Sequence, residues 1–574
     1  MYFGLLEMMV VMSVLLSESR SIPVVQTTMG LVRGLTRRVD RTYIFEFRGI
    51  PFAKPPIGKF RFRKTEAHDQ WNGLLDATTF RPACMQRIHA DSILPLPNTE
   101  ISEDCLTLNI YVPGNISYDS RKSVMVWIHG GGFYTNQGSM YNGTYIALYG
   151  DVIVVTVNYR LGVLGFLSTG NKDLPGNLGL WDQHLALQWI KDNIASFGGD
   201  PNSITLFGMS SGGASVSLHT LIPRNKHLFQ RVIAQSGTAN SYLAFVYDPL
   251  FYVKVLGKLL GCTSDTEATD TKQFVHCING TSAEAILSAQ EAMSWHRGDR
   301  ARYELMFGAV VDGDVFTDYP EELLSRETSA SFQLFRSVDF LAGGTDKEGS
   351  MFYGIFHEEL SKEFNFNPMD GFPPGIVCEF LIPGLVKDLF PKCLHRRVLE
   401  QAICQKYRGT DDGSRASKML DLYGDVFFIV PVIKILSAHS KDNSITNSYQ
   451  YLFSRHYTSK EDSTLPDWFV GTPHTAEKTF LFRGTQRSNI AYNRIEDLTL
   501  AKQMIKLWTN FAKYGNPSDI TLPKWSPYTE DDGYFYNISF VPASSSTHVF
   551  RDRVSFWMSE VPQIVKATCQ HQEL

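Results

Sequence analysis

The chain has 574 residues, of which 43% are hydrophobic and 20% are charged. This is the composition of an ordinary globular protein, and it excludes a disordered or collagen-like chain. The 54 basic and 59 acidic residues give a formal net charge of −5, without the basic surplus of nucleic-acid-binding proteins. We therefore expect a folded protein that does not bind nucleic acid.

An apolar run of signal-peptide length lies near the start of the sequence. Residues 8–16 are mostly hydrophobic, and small residues at Ser17 and Ser19 offer a cleavage point before Arg20. The run is too short to span a bilayer, and a buried N-terminal element is the alternative. We interpret residues 1–19 as a signal peptide. Residues 20–570 are predicted to form one domain, because no repeat, charge block or Ser/Gly-rich linker divides them.

Three short apolar runs predict strands of a central sheet. They cover residues 124–128, 152–157 and 203–207, and such continuous runs suit strands buried on both faces of a mostly parallel sheet. Apolar residues at 185–190 follow a helical pattern between the second and third runs. Strands that alternate with helices predict the α/β class.

A long amphipathic helix is predicted late in the chain. Asp497 is the expected N-cap, and Gly515 followed by Pro517 is expected to end the helix. Its apolar positions are Leu500, Ala501, Met504, Ile505, Trp508, Phe511 and Ala512.

The five residues 208–212 read Gly-Met-Ser-Ser-Gly and directly follow the third predicted strand. A nucleophile on a tight strand-to-helix turn needs glycines around it, because larger side chains would collide there. An ordinary Gly/Ser turn is the alternative for the motif alone. The pattern predicts that Ser210 is a nucleophile exposed at the edge of the sheet.

A second glycine-rich segment supports acyl-transfer chemistry. Residues 129–132 read His-Gly-Gly-Gly after the first predicted strand, where backbone amides can stabilise a developing oxyanion. A phosphate-binding loop is excluded, because no Gly-Lys-Ser/Thr follows and no GxGxxG occurs. The chemistry also needs a base and an acid after the serine, but fifteen histidines leave the base open.

The sequence resembles the type-B carboxylesterase/cholinesterase family over nearly its whole length. The resemblance is carried in order by residues 45–62, 102–110, 177–183, 197–201 and 235–237. It implies an α/β-hydrolase fold, with a large, mostly parallel central sheet and helices on both faces.

The resemblance also implies site residues. Ser210 matches the nucleophile, Glu348 the acid and His474 the base of the family. Without the family, Glu348 would be interpreted as a solvated loop charge. The implied oxyanion-hole amides are those of Gly131, Gly132 and Ser211.

The implied function is that of a serine carboxylesterase, which hydrolyses small carboxylic esters through an acyl-enzyme and needs no cofactor. No metal site is expected, since the one HExxH-like segment at His357 ends in serine. A catalytically silent adhesion or binding relative, similar to the neuroligins, is the alternative.

At two positions the sequence departs from the family pattern, and both departures limit the range of expected substrates. Met209 replaces the usual glutamate beside the nucleophile, and we expect it to alter substrate preference. Pro95 stands where cholinesterases carry the tryptophan that stacks on choline, so choline specificity is not expected.

The resemblance implies two disulfides, Cys84–Cys105 and Cys262–Cys277, and leaves the pairing of Cys378, Cys393, Cys404 and Cys569 open. An even number of cysteines suits a secretory protein. The chain carries four N-glycosylation sequons, at Asn115, Asn142, Asn279 and Asn537.

The last four residues, 571–574, read His-Gln-Glu-Leu and resemble the signal that an endoplasmic reticulum retrieval receptor reads. We expect the endoplasmic reticulum lumen as the compartment, with secretion as the alternative and no transmembrane anchor. The sequence does not determine the physiological ester or the oligomeric state, and a homo-oligomer is possible.

Overall fold

The computed structural model describes residues 22–39, 42–87, 100–263, 270–293, 305–456, 465–482, 495–540 and 544–569. The predicted signal peptide, Pro95 and the retrieval-like residues 571–574 lie outside these ranges. The predicted division of the chain at residues 19 and 570 stays a prediction.

An eleven-stranded sheet forms the centre of the described structure. In space its strands follow the order β11-β10-β9-β8-β7-β6-β4-β5-β3-β2-β1, and in chain order they are β1 (Leu35–Val39), β2 (Thr42–Pro51), β3 (Thr107–Pro113), β4 (Lys122–Ile128), β5 (Ile153–Val157), β6 (Gly199–Met209), β7 (Arg231–Gln235), β8 (Asp339–Thr345), β9 (Ser448–Phe453), β10 (Tyr534–Ile538) and β11 (Ser544–Thr547).

Parallel pairing dominates the middle of this sheet. Strands β5, β4, β6, β7, β8, β9 and β10 pair in parallel, whereas β1, β2 and β3 at one side and β11 at the other pair antiparallel. The three predicted strands coincide with β4, β5 and β6. The predicted α/β class and mostly parallel sheet are confirmed. Two smaller sheets lie outside it, formed by Val24–Gln26, Leu31–Arg33 and Leu74–Asp76, and by Ala83–Cys84 and Ile101–Ser102.

Helices connect the strands and cover the sheet. The described α-helices are α1 (Thr144–Gly150), α2 (Gly162–Phe166), α3 (Leu178–Asn193), α4 (Ser211–His219), α5 (Pro249–Leu260), α6 (Thr271–Gly280), α7 (Ala283–Glu291), α8 (Pro320–Ser325), α9 (Ala330–Phe335), α10 (Ser350–Phe364), α11 (Ile382–Leu389), α12 (Arg397–Lys406), α13 (Asp412–Gly424), α14 (Val430–Ser440), α15 (Lys478–Leu481), α16 (Ile495–Tyr514), α17 (Arg551–Ser555) and α18 (Val561–Cys569). Among the described ranges, none of the helices combines the length and the apolarity needed to cross a lipid bilayer.

The sheet has a hydrophobic core on each face. In β4, Val126 packs into one core and Trp127 into the other, because successive side chains point to opposite faces of a strand. Leu187 of α3 and Val216 of α4 belong to the first core, and Trp508 of α16 belongs to the second. Apolar residues at successive strand positions are therefore both buried, as expected of a sheet covered on both faces.

The late amphipathic helix is α16, and its seven predicted apolar positions are all buried. The predicted role of Asp497 as N-cap is wrong. Asp497 lies within the first turn, is only 1% exposed, and pairs with the buried guanidinium of Arg455 at 3.3 Å. Burial of the Asp497 carboxylate without a counter-ion would cost more free energy than an uncapped helix end. Arg455, from the chain segment after β9, provides that counter-ion.

All eight cysteines are paired. The structure forms the two implied disulfides, Cys84–Cys105 and Cys262–Cys277. The pairing that the sequence left open is Cys378–Cys404 and Cys393–Cys569. The last of these joins the chain before α12 to the end of α18.

Candidate active site

The three residues that the resemblance singled out meet at one edge of the sheet. Ser210 follows β6 directly, Glu348 lies three residues after β8, and His474 lies on the chain segment beyond β9. These three strands are parallel members of one sheet, so their carboxyl ends lie along the same edge. Open α/β sheets place their ligand sites at this edge.

Ser210 occupies a strained turn between β6 and α4. Its backbone has φ 58° and ψ −127°, a conformation that residues with side chains rarely adopt. The predicted helix after the serine begins at Ser211, directly after the turn. Gly212 permits this turn, because a Cβ at that position would lie 2.1 Å from the carbonyl oxygen of Ile128 in β4. The glycine is thus required by close approach of two backbones.

A hydrogen-bonded chain runs from Ser210 through His474 to Glu348. Nε2 of His474 lies 3.1 Å from Oγ of Ser210, and Nδ1 is hydrogen-bonded to the Glu348 carboxylate. The backbone amide of His474 donates to Oγ of Ser350 at 2.8 Å, which helps to hold the ring in place. The imidazole can therefore accept the Ser210 proton while the carboxylate stabilises the charged ring.

Glu348 is buried, contrary to its interpretation as a loop charge without the family. It is 1% exposed, and its Oε1 accepts hydrogen bonds from Oγ of Ser236 at 2.5 Å and from the amide of Thr345 at 2.6 Å. These bonds leave Oε2 for the histidine.

Main-chain contacts hold the acid and histidine segments together. The amide of Lys347 donates to the carbonyl of Thr472 at 3.2 Å, and the amide of Thr472 donates to the Asp346 carboxylate at 2.6 Å. The separation of Glu348 and His474 is thus set by their backbones as well as by their side chains.

The glycine-rich segment after β4 packs against the nucleophile turn. A Cβ on Gly130 would lie 2.3 Å from the carbonyl oxygen of Met209, so only glycine fits at this position. Gly131 and Gly132 follow with φ 110° and φ 63°. Within the described structure, the backbone amides of these two glycines and of Ser211 donate to no other residue. They are available to a bound oxyanion.

A cavity of about 310 Å³ opens beside Ser210. Its walls include the glycine segment, the side chains of Met209, Leu243, Met351 and Phe428, and His474. Phe428 packs against the His474 ring with 4.9 Å between ring centres. A largely apolar cavity with a few polar groups is typical of a small-molecule site.

Two polar residues beside the triad, Ser236 and Glu477, were not predicted from the sequence to have a role in the site. Ser236 lies in a recognised motif but had no assigned role. Glu477 is fully buried three residues after His474, where it accepts hydrogen bonds from the hydroxyls of Ser236 and Tyr451, each at 3.2 Å. Burial and the nearby Glu348 raise the pKa of Glu477 to about 7. The sequence shows Glu477 three residues after His474, but a glutamate at this spacing on a loop does not form a recognisable motif.

The four sequon asparagines differ in accessibility. Asn115 and Asn279 have exposed side chains, whereas Asn142 and Asn537 are half-buried. Asn537 also accepts a hydrogen bond from Oγ of Ser454 at 2.6 Å within the sheet. Asn115 and Asn279 are therefore the better placed acceptors.

The fold and the position of the site at the strand ends define an α/β-hydrolase. A comparison with family models assigns the chain more closely: it belongs to the carboxylesterase family, whose model matches residues 21–557. It is 36% identical to bile salt-activated lipase from Bos taurus, over 93% of this chain and 87% of the lipase.

Other relatives include both a carboxylesterase and a neuroligin. The chain is 32% identical to carboxylesterase 1C from Mus musculus, over 95% of this chain and 94% of that enzyme. It is also 33% identical to neuroligin-2 from Mus musculus, over 96% of this chain and 68% of the neuroligin. Family membership alone therefore does not choose between the enzyme and the adhesion-type alternative.

Proposed function

We propose that this protein is a serine carboxylesterase in which Ser210, His474 and Glu348 form the catalytic triad. The observation that carries the proposal is the bridging position of His474, which contacts the Ser210 hydroxyl and the buried Glu348 carboxylate together. A binding protein has no need of this arrangement on a strained turn.

The reaction would proceed by double displacement. His474 takes the Ser210 proton as the serine oxygen attacks the ester carbonyl, and the amides of Gly131, Gly132 and Ser211 stabilise the oxyanion. The tetrahedral intermediate expels the alcohol, which leaves with the proton from His474. Water, activated by the same imidazole, then hydrolyses the acyl-enzyme and restores Ser210.

Hydrolysis of p-nitrophenyl acetate by the purified protein tests this proposal. We expect the Ser210→Ala variant to lower kcat by roughly 10⁴-fold or more. The control is Ser325→Ala, an exposed serine at the end of α8, which should keep wild-type activity. Equal rates for wild type and Ser210→Ala would contradict the proposal and favour the adhesion-type function.

The proposed compartment is the endoplasmic reticulum lumen. Four disulfides are typical of proteins from oxidising compartments, and glycosylation of Asn115 and Asn279 would accompany that location. A short extension after Leu574 should mask the retrieval-like sequence and raise the activity secreted into the medium. Unchanged secretion would contradict retrieval.

A further inference from the structure

One charged side chain lines the substrate cavity and takes no part in the proposed proton transfer. Lys478 follows His474 by four residues, at the start of α15. Among the described residues that line the cavity, it is the single lysine or arginine, and none is an aspartate or glutamate. The cavity is otherwise largely apolar, so this ammonium group dominates its charge.

The ammonium group of Lys478 has no partner in the described part of the chain. No described carboxylate lies within 4 Å of its Nζ, and it makes no hydrogen bond to a described residue. Burial lowers the pKa of Lys478 to about 8, although the neighbouring Glu477 opposes that change. A cation that is partly removed from water without a counter-ion is unfavourable, so an anion in the cavity would be attracted to it.

Tyr141 is a second hydrogen-bond donor, and it is connected to Lys478 through Phe482. The amide of Phe482 donates to the carbonyl of Lys478 at 2.9 Å, and the Phe482 ring packs on Tyr141 with 5.2 Å between ring centres. Tyr141 lines the same cavity, and its hydroxyl bonds to no described residue. Lys478 and Tyr141 thus both line the cavity, and neither side chain is hydrogen-bonded to a described residue.

Met209 lines the same cavity as Lys478 and supplies no counter-ion to it. It lines the cavity directly beside Ser210, and its thioether carries no charge. A glutamate there would place a carboxylate in the same cavity as the ammonium group. The thioether leaves the cavity with a net positive charge when Lys478 is protonated.

We propose that Lys478 binds an anionic group of the substrate, so that the site prefers carboxylic esters that carry a second, ionised carboxylate. The inference rests on the proposed esterase function and names its substrate class. The carboxylate belongs either to the acyl part, as in a half-ester of a dicarboxylic acid, or to the alcohol part, as in an acylated hydroxy acid. Lys478 would be the specificity-determining residue in both cases.

Two pairs of esters of matched shape test the proposal in a titrimetric assay. Monoethyl succinate is compared with ethyl valerate for the acyl side, and butyryloxyacetate with propyl butyrate for the alcohol side. In Lys478→Met, the ratio of kcat/KM for the anionic ester over its neutral partner should fall about tenfold for one pair, which identifies the side. Lys478→Arg should keep the ratio, and Lys172→Met, which changes an exposed lysine, should leave it at the wild-type value.

The pH dependence of the wild-type ratio provides a measurement that does not depend on the folding of a variant. Lys478 is charged below its pKa of about 8, so the preference should be present at pH 7 and lost by pH 9, and Lys478→Arg should retain it. The other titratable groups at the cavity are His474, Tyr134 and Tyr141, with Glu477 adjacent. His474 acts on both esters of a pair, and burial raises the pKa of both tyrosines above this range.

The outcomes separate this inference from the proposed function. Wild-type ratios that do not change with pH, or that are the same in Lys478→Met, would overturn the anion subsite while Ser210-dependent hydrolysis of neutral esters stands. If no ester is hydrolysed in a Ser210-dependent manner, the proposed function fails and the substrate preference fails with it.

Discussion

Ser210 and Glu348 illustrate how single residues are specialised at this site. Ser210 has a backbone conformation that is unfavourable for its residue type, and the surrounding strand and helix hold it there. Glu348 is a buried carboxylate that would be costly without partners, and it has three: Ser236, the Thr345 amide and His474. The strained backbone of Ser210 and the partnered, buried carboxylate of Glu348 are both consistent with the proposed chemistry.

We expect Glu348→Gln to abolish most activity while the fold is retained. The amide fills the same space, but it cannot stabilise the imidazolium or fix the histidine tautomer, so kcat should fall by roughly 10³- to 10⁴-fold with little change in KM. Steady-state kinetics with p-nitrophenyl acetate measure this, and circular dichroism checks the fold. A kcat within about tenfold of wild type would contradict the role of Glu348 as the acid.

The unit of β6, the nucleophile turn and α4 is the element on which the site depends. All nine residues of α4 are buried, and β6 lies between β4 and β7. The turn between them presses against the end of β4, where the glycine-rich segment begins. Close contact of three backbones therefore fixes the serine and the oxyanion amides relative to each other.

Gly212→Ala tests this contact at the level of the element. The new Cβ would meet the Ile128 carbonyl oxygen at 2.1 Å, so β4 and α4 must separate. We expect a loss of stability of about 1–3 kcal/mol, seen as a lower Tm, and a larger loss of activity. Gly280→Ala is the matched control, because a Cβ at this glycine at the end of α6 has nothing within 4 Å. The prediction fails if the two variants have the same Tm and activity.

At the scale of the whole molecule, one disulfide links distant parts of the chain, and three histidines are buried inside the fold. Cys393–Cys569 closes a loop with a sequence separation of 176, whereas Cys262–Cys277 closes one of 15. His129, His219 and His439 are fully buried at separate places in the fold. The stability of the whole fold therefore depends on oxidation state and on pH.

Removing the long-range disulfide should be more destabilising than removing the short one. In the chain-entropy description, the larger loop stabilises the fold by about 5 kcal/mol and the smaller one by about 3 kcal/mol. The Cys393→Ala/Cys569→Ala protein should accordingly have a lower Tm than the Cys262→Ala/Cys277→Ala protein. The reverse order in a calorimetric scan would show that loop length does not govern these bonds.

Acid should destabilise the fold through its buried histidines. Burial lowers the pKa of His439 to about 4, so the folded state excludes a proton that the unfolded chain binds below about pH 6.5. The contribution of neutral His439 to the free energy of unfolding is present above that pH and falls by about 2 kcal/mol between pH 7 and pH 5. Asp425 and Glu477, each with a pKa raised to about 7, act in the opposite direction.

The variant His439→Gln isolates this effect, because it can bond to Ser448 and the Val338 carbonyl as the imidazole does. Its Tm should fall less than that of the wild type when the pH is lowered from 7 to 5. If the Tm of the two proteins falls equally between pH 7 and pH 5, His439 does not cause the acid destabilisation.

The sequence by itself determined the features that depend on adjacent residues. The strand runs, the Gly-Met-Ser-Ser-Gly turn and the His-Gly-Gly-Gly segment are local, because their steric requirements act between neighbours in the chain and leave a readable pattern. The family resemblance then supplied Glu348, His474 and two disulfides, which no local pattern identifies.

Only the tertiary structure decided which distant groups meet. It buried Glu348 beside His474, paired Asp497 with Arg455 where a helix cap was predicted, and joined Cys378 to Cys404 and Cys393 to Cys569. It also placed Lys478 in the wall of the cavity. These contacts arise because packing of the sheet and its helices brings together side chains that are far apart in sequence, and the need to satisfy buried charge then selects their partners.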